Sequence, residues 1–365
     1  MIHFKKITLN QLICLVILTQ VGVSVLSIPF EESRNSGYDA WMSILIAGII
    51  SQIEILIIYF LAKRYPDQPI QQYVKSIIGR PLGFILNLFI ALYCAQSSFM
   101  VAVSYVDVLT RWVLFETPWF ILILLSFVIG AYIASSSLRS ISTITQTIMA
   151  MFLLCTAIIL TSGFGKGDWR HFFPIGSHGI GAILKDTIPA FWAYAGFELL
   201  LYVFPFVKSK KKKDILIAMS IANGFTTLFY LFISVIVLYN FSESQLNFIP
   251  EPMVFILRKF RWPIVQSLDI LFMAIWFSVT TVTVYVYLFL SARYLAFLGK
   301  KEIQKHSLFV WIVALLCALV GIFFSDMETI KKFAKYHNAL TLIIIITIPT
   351  LLLFISIVRE KVARK

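Results

Sequence analysis

The sequence predicts an all-α integral membrane protein with ten transmembrane helices, arranged as two halves of five. Three observations lead there. Hydrophobic residues make up 59% of the 365-residue chain and charged residues 13%, about half the share of a soluble globule, and the mean hydropathy is +0.88. Ten apolar runs reach roughly the 20 residues a helix needs to cross a bilayer. The first and sixth of these runs are interrupted by glycine and proline at matching places.

The runs fall at 9–30, 41–62, 82–107, 118–136, 141–163, 184–207, 214–240, 263–290, 306–325 and 337–358. Lys5 and Lys6 ahead of the first run imitate a signal peptide, but no small-residue cleavage site follows, so this run reads as a retained helix. Residues 1–365 therefore read as a single polytopic membrane domain, with repeat one at about 9–163 and repeat two at about 184–358. An odd number of spans per half reverses the second half in the membrane, which makes an inverted repeat by counting. Between runs two and three, Ile70, Tyr73, Val74, Ile77 and Ile78 recur at helical spacing with Gln71, Gln72 and Lys75 opposite. That pattern predicts a short amphipathic helix at the interface. Pro250 and Pro252, leading an apolar turn within 242–262, predict another.

The net charge of +13 invites a nucleic-acid reading, which its distribution rejects. Lys208, Lys210 to Lys213, Arg359, Lys361, Arg364 and Lys365 cluster at the ends of apolar runs. Cytoplasmic loops beside anionic lipid headgroups have this pattern, so membrane lipid is the expected contact and nucleic acid is not. With the N-terminus cytoplasmic, 20 of the 31 basic residues fall inside and 11 outside, while acids divide as four inside and ten outside. Both termini are accordingly expected in the cytoplasm.

Irregular backbone inside a membrane survives only where protein buries it or a cavity receives it. Run one reads Thr19-Gln-Val-Gly-Val-Ser-Val-Leu-Ser-Ile-Pro29, and run six reads from Pro189 through Gly196 to Pro205. Either glycine alone could serve close helix packing. Their matched positions favour unwound backbone at both, and so a substrate site using Gly22, Val23 and Ser24 at one break and Tyr194, Gly196 and Leu199 at the other. Tyr93, Ser97 and Val101 share a face of run three at i, i+4, i+8, and Thr280, Thr283 and Tyr287 share one of run eight at i, i+3, i+7. These faces are either a polar wall opposite the breaks or ordinary hydroxyls bonding between helices.

Glu198, two residues past Gly196, is the most informative single residue. A mid-membrane acid is costly to bury and marks either ion or gate chemistry or a protonated cap on amides freed by the break. Glu54 and Asp269 lie nearer span ends and rank below it. No phosphate loop, His-Glu-x-x-His or nucleophile elbow occurs. The five histidines lie near span ends, and Cys14, Cys94, Cys155 and Cys317 sit inside apolar runs without metal-ligand spacing. No enzyme chemistry, cofactor or metal is expected.

The stretch from Gly22 to Pro29 continues into Gly37-Tyr-Asp-Ala-Trp41, then Tyr65-Pro66, Ile78-Gly79-Arg-Pro-Leu-Gly83, Ala195-Gly-Phe-Glu through Pro205, Arg261-Trp262 and Trp276. This series resembles the endospore germination permeases, the B subunits of germinant receptors, over essentially the whole chain. The resemblance implies the amino acid–polyamine–organocation superfamily and a LeuT-like five-plus-five inverted repeat with broken helices 1 and 6. It implies a receptor subunit in the spore inner membrane that binds a small nutrient, often an amino acid, with an A subunit and a lipoprotein C subunit as partners. It also implies a ligand pocket at Gly22, Gly196, Tyr93, Ser97, Thr283 and Tyr287. The other reading of the residues is a stand-alone ion-coupled amino-acid transporter in the bacterial cell membrane.

Overall fold

Residues 6–165, 167–260, 267–299 and 306–363 are described by the computed structural model, and among them all regular structure is helical apart from one isolated bridge between Ile7 and Val207. In chain order, α1 (Leu9–Gln20) and α2 (Ser24–Ser27) form the first broken run, followed by α3 (Ala40–Arg64), α4 (Ile70–Ile78), α5 (Arg80–Trp112), α6 (Trp119–Ala134) and α7 (Leu138–Gly163). The second broken run is α8 (Ile180–Trp192) and α9 (Leu200–Val203). Then come α10 (Lys212–Asn240), the short α11 (Glu243–Leu246) and α12 (Pro252–Lys259), α13 (Leu268–Leu298), α14 (His306–Ile322), α15 (Met327–Leu342) and α16 (Ile348–Ala363).

Each of the ten apolar runs coincides with a helix or a helix pair. Among the described residues, six helices are long and apolar enough to cross a membrane unaided, and the bent pair Ile180–Trp192 and Phe197–Phe206 adds a seventh span. The other three runs form shorter apolar helices, α1, α6 and α14, of 12, 16 and 17 residues. Lys5, Arg261-Trp262, the start of run eight at 263 to 266, Arg364 and Lys365 lie outside the described residues.

Local chemistry sets the helix starts. Thr8 and Gln11 close a capping box at the head of α1, and Pro252 opens α12 at a position whose amide would have no partner anyway. The helix α4 forms where its spacing predicts, with Ile70, Tyr73, Val74 and Ile77 buried. Gln71 departs from the pattern: it is buried too, and its backbone carbonyl accepts from Asn87 Nδ2 at 3.0 Å. The run expected at 337–358 starts ten residues earlier, at Met327. Lys331, Lys332 and Lys335 dilute the apolar signal of that first stretch, and they are tolerated because Lys331 and Lys335 face a cleft.

The core is built around α13, which packs along α5 and also meets α6, α7, α14 and α1. Trp276, Phe272 and Tyr285 on α13 are fully buried. Ile53 on α3, Ile85 on α5, Leu125 on α6 and Leu316 on α14 are large, apolar and exposed, as lipid-facing surfaces require. The start of the first broken run is tied to the end of the second: the Ile7 amide donates to Phe206 O at 2.9 Å, and the Lys208 amide to Ile7 O at 2.8 Å.

Candidate functional site: a cleft between two broken helices

At the first break, α1 stops at Gln20 and Val21 leaves helical geometry with ψ at 80°. The Gly22 amide turns back to Gln20 O at 2.9 Å. Carbonyls released by the break find partners on α13: Thr283 Oγ1 lies 3.1 Å from Thr19 O and 3.4 Å from Leu18 O, and Trp276 Nε1 donates to Gly22 O at 3.3 Å. A buried carbonyl needs such a donor, so these contacts hold the unwound segment open.

The second break runs from Ala193 to Gly196 and bends the helix pair by 51°. Gly196 has φ of +132°, and a Cβ there would stand 3.0 Å from both Gln20 N and Thr19 C. Backbone conformation and backbone contact both demand glycine. Gly22 carries neither constraint, since an added Cβ would meet only Thr283 Oγ1, at 3.3 Å. The two breaks brace each other. Gln20 Nε2 donates to Tyr194 O at 2.9 Å, Thr226 Oγ1 donates to Gln20 Oε1 at 2.9 Å, and Tyr230 Oη lies 2.9 Å from both Gln20 O and Ala193 O.

Glu198 closes the second break. Its Oε2 accepts the Gly196 amide at 2.6 Å, while Oε1 accepts from Tyr287 Oη and, at 3.3 Å, from Tyr93 Oη. All three neighbours are donors, so the buried carboxyl acts as the acceptor for an amide the helix has abandoned. The Gly196 amide is therefore engaged within the protein. Tyr93 also meets Tyr287 edge to face at 6.2 Å and stacks on His337 at 5.7 Å.

Above this cluster opens a cleft of about 1880 Å³ including its mouth, bordered by α2, α5, α8, α13 and α15. Gly22, Val23, Ser24, Tyr93, Ser97, Val101, Thr283 and Tyr287 line it, so eight of the residues singled out from sequence come together on its walls. The structure places four others elsewhere. Tyr194 turns toward α3 and donates to Ile44 O at 3.1 Å; Thr280 bonds back to Phe277 O of its own helix at 3.0 Å. Gly196 is covered by Glu198 and α1, and Leu199 lines a separate, much smaller cavity, with room for about one water, together with Glu198, Cys94 and Tyr202. Tyr93 and Tyr287 border both spaces and form the partition between them.

Several lining residues are not singled out by the sequence. His337 is expected near a span end, yet with α15 starting at Met327 it reaches the cleft beside Tyr93. Glu32 and Trp192 also line the cleft. At its mouth Arg111 holds Asp107 at 2.7 Å and pairs with Glu251, to which Trp112 Nε1 donates at 3.1 Å. The i, i+4 spacing of Asp107 and Arg111 was the one legible signal of that cluster. The Gly37-Tyr-Asp segment serves the fold: Gly37 has φ of +51°, the Tyr38 amide donates to Glu243 Oε1 at 2.9 Å, and Asp39 Oδ1 accepts from the Gly176 amide at 2.8 Å. Among the described residues, no group of three or more His, Cys, Asp or Glu could hold a metal ion.

Residues 6–325 match the family described as spore germination protein. Spore germination protein B2 of Bacillus subtilis (strain 168) is 22% identical, covering 98% of this chain and 97% of that protein. Spore germination protein GerQB of Bacillus cereus is 23% identical over 72% of each. Among solved structures, MhsT in complex with L-phenylalanine superposes with a TM-score of 0.68 at 13% identity, covering 94% of this chain and 87% of that one. A manganese transporter from Eremococcus coleocola does so with a TM-score of 0.61 at 13% identity, covering 94% and 75%. The fold is thus the LeuT-like one, with its first and sixth helices broken.

Proposed function

This chain belongs to the spore germination protein family, and we propose that it serves there as the membrane subunit of a germinant receptor, binding a small nutrient, an amino acid, and triggering germination. The observation behind this reading is the pair of helix breaks facing a cleft whose floor is sealed by Tyr93, Tyr287 and Glu198. A zwitterion entering such a space needs partners for both of its charges. Val23 and Ser24, whose amides begin a new helical turn beside the cleft, can hold a carboxylate without any side-chain clamp. With both termini cytoplasmic, the cleft opens away from the cytoplasm, and the protein sits in the spore inner membrane with an A subunit and a lipoprotein C subunit. Occupancy shifts the equilibrium between open and closed clefts by as much as the nutrient prefers one of them, and the partner subunits read that shift.

The test is binding and flux on the same preparation. Liposomes holding this chain alone should bind an amino acid saturably and accumulate none of it, with or without an imposed proton or sodium gradient. Gradient-driven uptake would replace the receptor by an independent transporter.

A further inference from the structure

Among the described residues, one acid lining the cleft leaves a buried carboxyl oxygen without a hydrogen bond. Glu32 lies in the turn between α2 and α3, is 5% exposed, lines the cleft, and leaves Oε2 without a hydrogen bond. No lysine or arginine forms an ion pair with it among the described residues; Arg34, the nearest in sequence, pairs with Glu31 at 3.9 Å and lies over the Phe30 ring. Its charged neighbours, Glu31 and Asp186, are both acidic, and only backbone amides of Glu31 and Glu32 act against them. Burial, with these two charges adding to it, drives the Glu32 carboxyl up to about 8.

Glu54 on α3 also leaves a buried Oε2 unbonded but does not line the cleft, whereas two other buried acids are bonded at both oxygens. Asp186 accepts from the Asn35 and Ser36 amides, from Asn35 Nδ2 and from Ser36 Oγ. Glu198 accepts from three donors. A buried acid with an unbonded oxygen, beside a cleft and with two acids as its charged neighbours, is costly unless a proton or a cation joins it. Two more buried atoms on the same cleft also lack partners: Trp192 Nε1, which can only donate, and His337 Nδ1.

We propose that Glu32 is the ammonium-recognising residue of the cleft: the ligand is a solute carrying a protonated amine that bonds to Oε2, with Trp192 Nε1 and His337 Nδ1 donating to its oxygen atoms. The proposal rests on the reading that the cleft holds an amino-acid nutrient, and assigns the side chain that meets its amine.

The experiment uses the full chain in nanodiscs, with thermal stabilisation screened against the twenty amino acids, a set of neutral sugars and nucleosides, and potassium chloride alone. The strongest amino-acid stabiliser is then compared with its N-acetyl and des-amino analogues, in wild type, Glu32→Gln and Glu32→Asp. The expected result is at least a tenfold loss of affinity in Glu32→Gln, a smaller loss in Glu32→Asp, and a similar tenfold loss for both analogues in wild type. In Glu32→Gln the analogues should lose nothing more, and the unliganded melting temperature should equal or exceed that of wild type, because a carboxyl that burial disfavours in its charged form has been removed. Equal affinity in wild type and Glu32→Gln, or undiminished binding of the N-acetyl analogue, would overturn the proposal. So would Glu32-dependent stabilisation by potassium chloride alone, which assigns the acid to an inorganic cation. A sugar or nucleoside as the sole stabiliser overturns it while leaving the cleft as a nutrient site; stabilisation by none of these probes removes both.

Discussion

At the first break the chain leaves α1 through Val21 and Gly22 with no left-handed residue, and Gly22 to Ser24 open onto the cleft. At the second, Gly196 stands at φ of +132° with its amide sealed by Glu198 and α1 backbone pressed against its Cα. The two glycines are indistinguishable as sequence signals, each central in an interrupted run. Physically, one gives a ligand room to approach backbone, and the other gives the protein room to cross itself. A broken helix can thus serve a site directly or serve the scaffold behind it, and the hydrogen-bond partners of its freed groups tell which.

The strongest way to break this comparison is to place the same side chain at both glycines. Gly196→Val combines a disfavoured φ with a backbone clash and should cost more than about 2 kcal/mol, seen as lost yield and a lower melting temperature in detergent. Gly22→Val should leave abundance near normal while abolishing the nutrient response of spores. Equal loss of abundance in the two variants would erase the distinction drawn here.

Next in size is the cap. Glu198→Ala strands the Gly196 amide and two tyrosine hydroxyls and should cost roughly 2–3 kcal/mol. Glu198→Gln keeps an acceptor for the amide, and the tyrosine hydroxyls can rotate to accept from its NH₂ group, so about 1 kcal/mol is expected. Equal destabilisation by Gln and Ala in thermal unfolding would mean that charge, and not hydrogen bonding, holds the second break.

The Glu32 carboxyl titrates at about 8 in the folded protein against 4.5 for the free group. A carboxyl whose folded value is raised gives its full stability below the unfolded value and loses it as pH rises through the folded one. The unliganded protein should therefore lose stability between about pH 4.5 and about pH 8, and Glu32→Gln should flatten that slope. An identical slope in the variant would separate Glu32 from the pH response. The smallest effect is expected at Thr283. Thr283→Val removes the donor to the Leu18 and Thr19 carbonyls and should cost about 1 kcal/mol, whereas Thr283→Ser keeps it and should cost a few tenths.

The breaks and the amphipathic α4 were readable because each rests on local pattern: glycine and proline within apolar runs, or periodicity over nine residues. The walls of the cleft were half readable. Ser97 and Thr283 follow from helical spacing opposite the breaks, but Thr280 shares that spacing and turns away, and Tyr194 beside the second break points to α3, since sequence position fixes a neighbourhood and not what a side chain meets. His337 was hidden by a boundary. Three lysines lowered the hydropathy of the first turns of α15; Lys331 and Lys335 face the cleft and Lys332 pairs with Glu328, which is why the helix extends through them. Glu32 carried no signal at all, because an acid just past an apolar run looks like a solvated loop residue until packing buries it.

The central claim, that the first break is the ligand's side of the cleft, is tested most directly at Ser24. The four native cysteines are buried or half-buried, so a water-soluble maleimide reports on a thiol introduced by Ser24→Cys. The thiol should label readily in the free protein and be protected by the stabilising amino acid, with half-protection at the concentration that half-saturates binding, while a control thiol at Ser209→Cys labels at the same rate throughout. Unchanged labelling of Ser24→Cys at saturating amino acid, in protein shown to bind it, would place the ligand elsewhere and contradict the account.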